Sequence, residues 1–180
     1  MLRGGVGRVT VRGVAELAGT TTRAVYVRFG GREGLLRALY RDAAMQMTGH
    51  HQAVPESDDM LAEVTALALA YRSGALSRPN AYALLMSTPP EVFEPGPDDR
   101  AISLESLERV VRALRRFASS GQLAACSPEE AGLQLWSLVH GLASLELRGV
   151  LGSGGPGGPQ AEAVWRSAIA THVAGLGATR

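Results

Sequence analysis

The sequence predicts an all-α protein. Three observations carry that expectation. Nearly every long segment repeats its apolar residues with the helical period, and no run alternates apolar with polar residues as a half-buried strand does. Clusters of glycine and proline separate these segments. Good capping residues stand at several of the helix starts.

A first helix is expected over Val11 to Ala18, capped by Thr10 and ended by Gly19, with Val14, Leu17 and Ala18 as its inner face. A second spans Thr22 to Phe29, with Thr20 or Thr21 as cap and Gly30-Gly31 as its break. Val25 and Phe29, four residues apart, anchor it. A third starts near Arg32 and reaches about Gly49, with Leu35, Leu36, Leu39, Ala43 and Met47 at helical spacing. After the acidic turn of Pro55 to Asp59, the residues Met60, Leu61, Val64, Leu67, Ala68 and Tyr71 share one face of a fourth helix. Pro79 stands at a permitted first-turn position and opens a short helix to about Ser87.

Thr88 to Pro97 holds four prolines and reads as a loop. A long helix follows from about Asp98 to Ser120. Its stripe is Leu104, Leu107, Val110, Val111, Leu114 and Phe117, while Arg109, Arg112, Arg115 and Arg116 fall largely off it. Ser127-Pro128-Glu129-Glu130 combines a cap, a first-position proline and first-turn acids, so a helix over 127–148 begins there. Leu135, Trp136, Val139, Leu142 and Ala143 form one stripe on it, and Leu133, Leu138 and Leu145 extend apolarity beyond that stripe. Such a helix has two faces to bury. Gly149 to Pro159, with six glycines and two prolines, reads as a flexible linker. A last helix over 160–176 places Trp165, Ile169, His172, Val173 and Leu176 on one side.

Composition sets the limits. A chain of 180 residues, 46% hydrophobic and 19% charged, can bury a real core in a small head and a medium body. The element pattern divides it at residues 1–48 and 49–180. Cys126 is the single cysteine, so no intrachain disulfide forms, and a reducing, cytoplasmic setting fits best. No apolar run reaches the ~20 residues that span a bilayer, so no membrane is expected. From Met1 to Arg41, eight arginines oppose two glutamates for a charge of +6, whereas the remainder has ten arginines against fifteen acids for −5. A basic head on an acidic body suggests a polyanion partner, with a merely solvated basic surface as the plain alternative. There is no nucleophile–base arrangement, phosphate-cradling glycine loop or metal-ligand cluster, so no enzyme, cofactor or metal is expected. His50 and His51 are adjacent, and neighbours on a helix diverge by ~100°, too far to share an ion.

The functional chemistry concentrates between Thr10 and Leu36. Two short helices joined by a tight turn, with a third directly after, make a helix-turn-helix that can place one small helix in a DNA major groove. With Val25 and Phe29 turned inward, Thr21, Thr22, Arg23, Tyr26 and Arg28 face outward. Hydroxyls, guanidinium groups and a phenol suit phosphates and base edges. Arg32 opens the next helix, where its charge and nearby backbone N–H groups can both face phosphate.

These residues resemble the signature of the TetR family of transcriptional regulators. The Ala18-Gly19 turn, Tyr26 followed three residues later by Phe29, and the basic-Glu-x-Leu-Leu run at Arg32-Glu33-Gly34-Leu35-Leu36 carry the resemblance. Trp136, His140 and Gly141 are similar to a pattern on a late helix of many members. The resemblance implies a TetR-like head and a C-terminal helical domain for ligand binding and dimerisation. It implies a homodimer paired through helices 127–148 and 160–176. Such a dimer would be a ligand-responsive repressor on a pseudopalindromic double-stranded DNA operator. Implied DNA contacts are Thr10, Arg12, Thr21, Thr22, Arg23, Tyr26, Arg28 and Arg32, with Arg23 nearest the base edges. Arg28 departs from the histidine often found at its position, and Arg12 either touches phosphate or only solubilises its helix.

An unidentified small-molecule effector is implied as well, moderately apolar by the character of its candidate pocket: Tyr71, Tyr82, Met86, Phe117, Trp136 and His140. Each of these six also reads as ordinary core. Family members carry one more helix ahead of the two read here. Gly4, Gly5 and Gly7 resist helix between Met1 and Arg8, so that first helix is expected to be missing. The alternative function is therefore a helical small-molecule-binding dimer that has lost DNA binding.

Overall fold

The structure, a computed structural model, describes residues 9–152 and 154–177. Among them are eight helices and no strand: α1 (Val11–Leu17), α2 (Thr22–Phe29), α3 (Arg32–Gln52), α4 (Met60–Ser77), α5 (Pro79–Met86), α6 (Pro97–Ser119), α7 (Pro128–Leu147) and α8 (Pro159–Gly177). The segment Met1 to Arg8, whose glycines resist the additional first helix, lies outside the described residues.

The chain forms two compact units, one of Met1–Gln46 with Arg78–Ser103, the other of Met47–Ser77 with Leu104–Arg180. The sequence pattern suggests a single cut near residue 48; in space, the segment after Arg78 returns to the first unit. The reason is apolar burial. Leu84 of α5 and Phe93 of the proline-rich loop join a core made by Val9, Ala15, Val25, Leu35, Leu36 and Tyr40.

Local chemistry defines the helices of the first unit. Thr10 Oγ1 accepts from the Gly13 N–H at 3.0 Å and caps α1. Thr21 Oγ1 does the same for α2 through Ala24 N–H at 3.1 Å. Gly30 ends α2 in the left-handed conformation, at φ 73°. Two expected core positions differ. Leu17 is 74% exposed and Ala15 is buried in its place, because Leu17 sits about 160° around the helix from Ala15. Leu39 is likewise exposed at the rim of α3, and Tyr40 and Ala44 take up its stripe.

Asp99 is buried in the first unit, where its Oδ1 accepts from Arg41 Nε at 2.5 Å and its Oδ2 from Arg37 Nε at 3.2 Å and Gly96 N at 3.0 Å. Burial by itself would raise this carboxyl. The bonds and charges of Arg41, Gly96 N–H and Arg37 outweigh it and hold the group below its ordinary range. The first unit as folded has ten arginines against seven acids, net +3 instead of the +6 counted along the head sequence.

In the second unit, Trp165, Tyr71, Phe117, Leu114 and Ile169 are fully buried. Charged residues lie among them. Glu63 accepts from Arg109 at 3.0 Å, from Ser57 N–H at 2.8 Å and from Arg116. Arg109 is thus buried in an ion pair, where the helical stripe had left it outside, and Leu104 and Leu61 of the expected stripes are exposed. Glu146 of α7 receives Arg72 of α4 through several N–H groups, Trp165 Nε1 at 2.8 Å and Gly157 N–H at 2.9 Å. That last bond corrects the reading of Gly149 to Pro159 as a flexible linker. Gly157 has φ 87°, which aims its N–H at the buried carboxylate, and Pro159 already belongs to α8.

Candidate functional site

The first unit assembles the predicted DNA-facing residues on α1, α2 and the start of α3. On α2, Thr22, Arg23, Tyr26 and Val27 all face solvent on one arc of about 140°, opposite the buried Val25. Val27, 81% exposed, was missed at the sequence level because an apolar residue is read as core by default. Its signal was available in the helical wheel, since Val25 and Phe29 already define the inward side. Tyr26 is 57% exposed. Arg23 has no ion pair among the described residues. Arg28 lies outside this arc, with its guanidinium 5.7 Å from the Phe29 ring centroid.

The remaining predicted contacts are already engaged. Thr10 and Thr21 are the caps of their helices. Arg12 pairs with Glu16 at 2.8 Å on the exposed face of α1. Arg32 is half-buried and donates from Nε to the Val9 carbonyl at 2.9 Å, which ties the start of α3 to the segment before α1. The α2–α3 corner is very close. A Cβ at Gly34 would stand 1.6 Å from the Phe29 carbonyl oxygen, so only glycine lets α3 begin there.

The second unit contains a small cavity of about 30 Å³, roughly the space of one water. Its wall is apolar, with Leu67, Val110, Leu135 and Val139, and it includes the aromatic Tyr71 and Trp136. His51 and Ser106 complete it. Of the six predicted pocket residues, Tyr71 and Trp136 line this cavity. His140 Nδ1 stands 3.5 Å from the Tyr71 hydroxyl without lining it. Phe117 is buried core of the same unit, and Tyr82 and Met86 belong to the first unit. His51 is 4% exposed and was weighed at the sequence level only as a metal ligand. Its burial one turn after Met47 on α3 is the signal that reading lacked. Among the described residues no group of three histidines, cysteines or acids is placed to hold a metal ion.

Residues 1–39 match the family description "Bacterial regulatory proteins, tetR family", and residues 64–172 match "Tetracyclin repressor-like, C-terminal domain". The chain belongs to the TetR family. It is therefore a transcriptional regulator with a helix-turn-helix DNA-binding domain, in a family of regulators and not of enzymes. Among solved structures it is similar to a Rhodococcus sp. RHA1 protein of unknown function, at 24% identity and TM-score 0.82, covering 98% of this chain and 89% of that one. It is similar to the TetR family regulator PfmR from Thermus thermophilus, at 19% identity and TM-score 0.71, covering 95% and 91%. A TetR variant from Acinetobacter baumannii AYE, solved in complex with minocycline, matches at 18% identity and TM-score 0.62, covering 96% and 86%. At these identities the likenesses show the fold. No curated protein matches this TetR-family chain in sequence. No helix among its described residues is long and apolar enough to cross a membrane.

Proposed function

We propose that this TetR-family regulator is a cytoplasmic, ligand-responsive repressor that binds a pseudopalindromic operator as a homodimer. The observation that carries the reading is the arc of α2. Thr22, Arg23, Tyr26 and Val27 stand exposed together on a short helix whose other side is locked into the core. Arg23 reads a guanine edge in the major groove, Val27 meets a thymine methyl, and Tyr26 with the capped ends of α1 and α2 holds phosphates. Arg28, off the arc, contacts the backbone.

Dimerisation rests on α7 and α8. Leu133, Ser137, Gly141 and Leu145 follow one another at intervals of four along α7, and Leu133 and Leu145 are 52% and 42% exposed. A Cβ at Gly141 would touch nothing within the chain, so the protomer itself gives no reason for a glycine in mid-helix. A second helix approaching closely supplies one. Two-fold pairing then presents two α2 helices to successive major grooves. The cavity is far below the ~300 Å³ where ordinary ligand sites begin, so an effector has to widen it. Helix α3 supplies both Arg32 to the head and His51 to the cavity, and a ligand that favours one position of α3 changes DNA affinity by its differential affinity for the two states.

The test is operator selection from genomic fragments followed by mobility shifts. Arg23→Ala should lower operator affinity by about 1–3 kcal/mol while leaving random DNA nearly unchanged. Arg28→Ala should weaken both alike and reduce the salt slope by about one. If neither variant changes DNA retention, the reading of α2 is wrong.

A further inference from the structure

We propose that the cavity of the second unit receives an uncharged, largely apolar ring compound carrying a single N–H or O–H donor, and that His51 Nε2 is the acceptor that selects it. The proposal rests on the ligand-responsive reading above and names the chemistry of its effector.

The tautomer of His51 follows from its partner. Nδ1 lies 3.1 Å from the Ser106 carbonyl oxygen, and a carbonyl only accepts, so Nδ1 carries the proton. Nε2 then presents a lone pair. It is buried and has no hydrogen-bond partner. The Leu67 carbonyl faces the ring and favours a proton on it, but completes no hydrogen bond to Nε2. Burial, the largest influence, keeps the imidazole neutral against the Ser106 carbonyl, the next largest, and the nearby charge of Arg109 adds to the effect of burial. Three other buried polar atoms lack partners among the described residues: Thr48 Oγ1, Arg109 Nη1 and His172 Nε2. None of those residues lines the cavity, whereas His51 does.

An unpaired buried acceptor is costly, and a ligand donor removes that cost. A trapped water would serve poorly, because it needs two to four polar partners and the wall offers few. The rest of the wall fixes the ligand's other properties. Tyr71 and Trp136 offer aromatic contact, and Leu67, Leu135 and Val139 offer aliphatic contact. No arginine or carboxylate lines the cavity to neutralise a charged ligand, since Arg109 is engaged by Glu63. The matching compound is therefore neutral, planar and donates once.

Indole, indene and indole-3-acetate test this on the full chain by titration calorimetry near neutral pH. Indole has the donor, indene has its shape without it, and indole-3-acetate adds a negative charge. Indole should bind at least tenfold more tightly than indene, and indole-3-acetate more weakly than indole. In His51→Phe the preference for indole over indene should vanish while indene binding persists. Should that variant fail to fold, nitrogen NMR of the wild-type histidines gives the same answer. The unprotonated Nε2 signal of His51 should move on adding indole and stay in place with indene. Equal affinity for indole and indene, preference for the anion, or binding of none of the three overturns the proposal. Donor-selective binding without any change in operator affinity would instead leave the site standing and refute the ligand-responsive function.

Discussion

Gly34 and Phe29 show how a single position controls the DNA-binding head. The Phe29 carbonyl occupies the place where any side chain at position 34 would begin, and backbone cannot swing aside as a flexible side chain does. Gly34→Ala should therefore separate α2 from α3 at their corner. The expected cost is about 2 kcal/mol or more by urea denaturation, together with loss of operator binding in a mobility shift, while circular dichroism stays helical. Unchanged stability would mean that the corner is not closed in solution. At the same scale, the exposed arc of α2 is legible from Val25 and Phe29 alone, and the same wheel places Val27 on it, although hydrophobicity by itself reads that residue as core. Leu17 failed in the same way, since its place on the wheel faces away from Ala15.

At the scale of elements, buried carboxylates join helices distant in sequence. Glu146 links α7 to Arg72 of α4, to Trp165 of α8 and to Gly157 of the turn before α8. Burial pushes its carboxyl up, but the Arg72 bond, the Gly157 N–H, the charge of Arg72 and Trp165 together bring it below the ordinary range. A carboxyl depressed in the folded state adds stability above its unfolded value, and that stability is lost as pH falls through the folded one. Asp99 has the same sign. Wild-type stability should accordingly decline as pH drops below about 4. Glu146→Gln should cost about 3–5 kcal/mol at pH 7, because Arg72 is left buried without its main counter-charge, and should flatten the acid decline. Urea midpoints between pH 7 and pH 3 check both. An equal acid slope in the variant would remove Glu146 from the account.

In the proposed function the whole molecule is a pair of protomers. The glycine in the middle of the exposed α7 row provides a clean probe, since Gly141→Arg adds helix propensity worth up to about 1 kcal/mol and its Cβ meets no atom of its own chain. The protomer should be as stable as before, or slightly more so, while sedimentation shows a monomer and operator affinity falls by orders of magnitude. A variant that still sediments as a dimer would place the pairing surface elsewhere.

The helical class, nearly every helix boundary and the family are legible along the chain. These depend on local chemistry: caps at Thr10, Thr21 and Ser127, glycine at the end of α2, and apolar spacing over each helix. Which charges are spent and which remain depends on the folded arrangement. Arg37 and Arg41 belong to the basic head by count, but they are tied to Asp99, a residue some sixty positions later in the chain. Arg109 looked like surface and is buried because Glu63 requires it. His51 looked like half of a weak metal pair and lines a cavity because Ser106 holds one ring nitrogen and leaves the other unpaired. Pairing of this kind depends on distance in space between residues far apart in sequence, and helical periodicity contains no information about it.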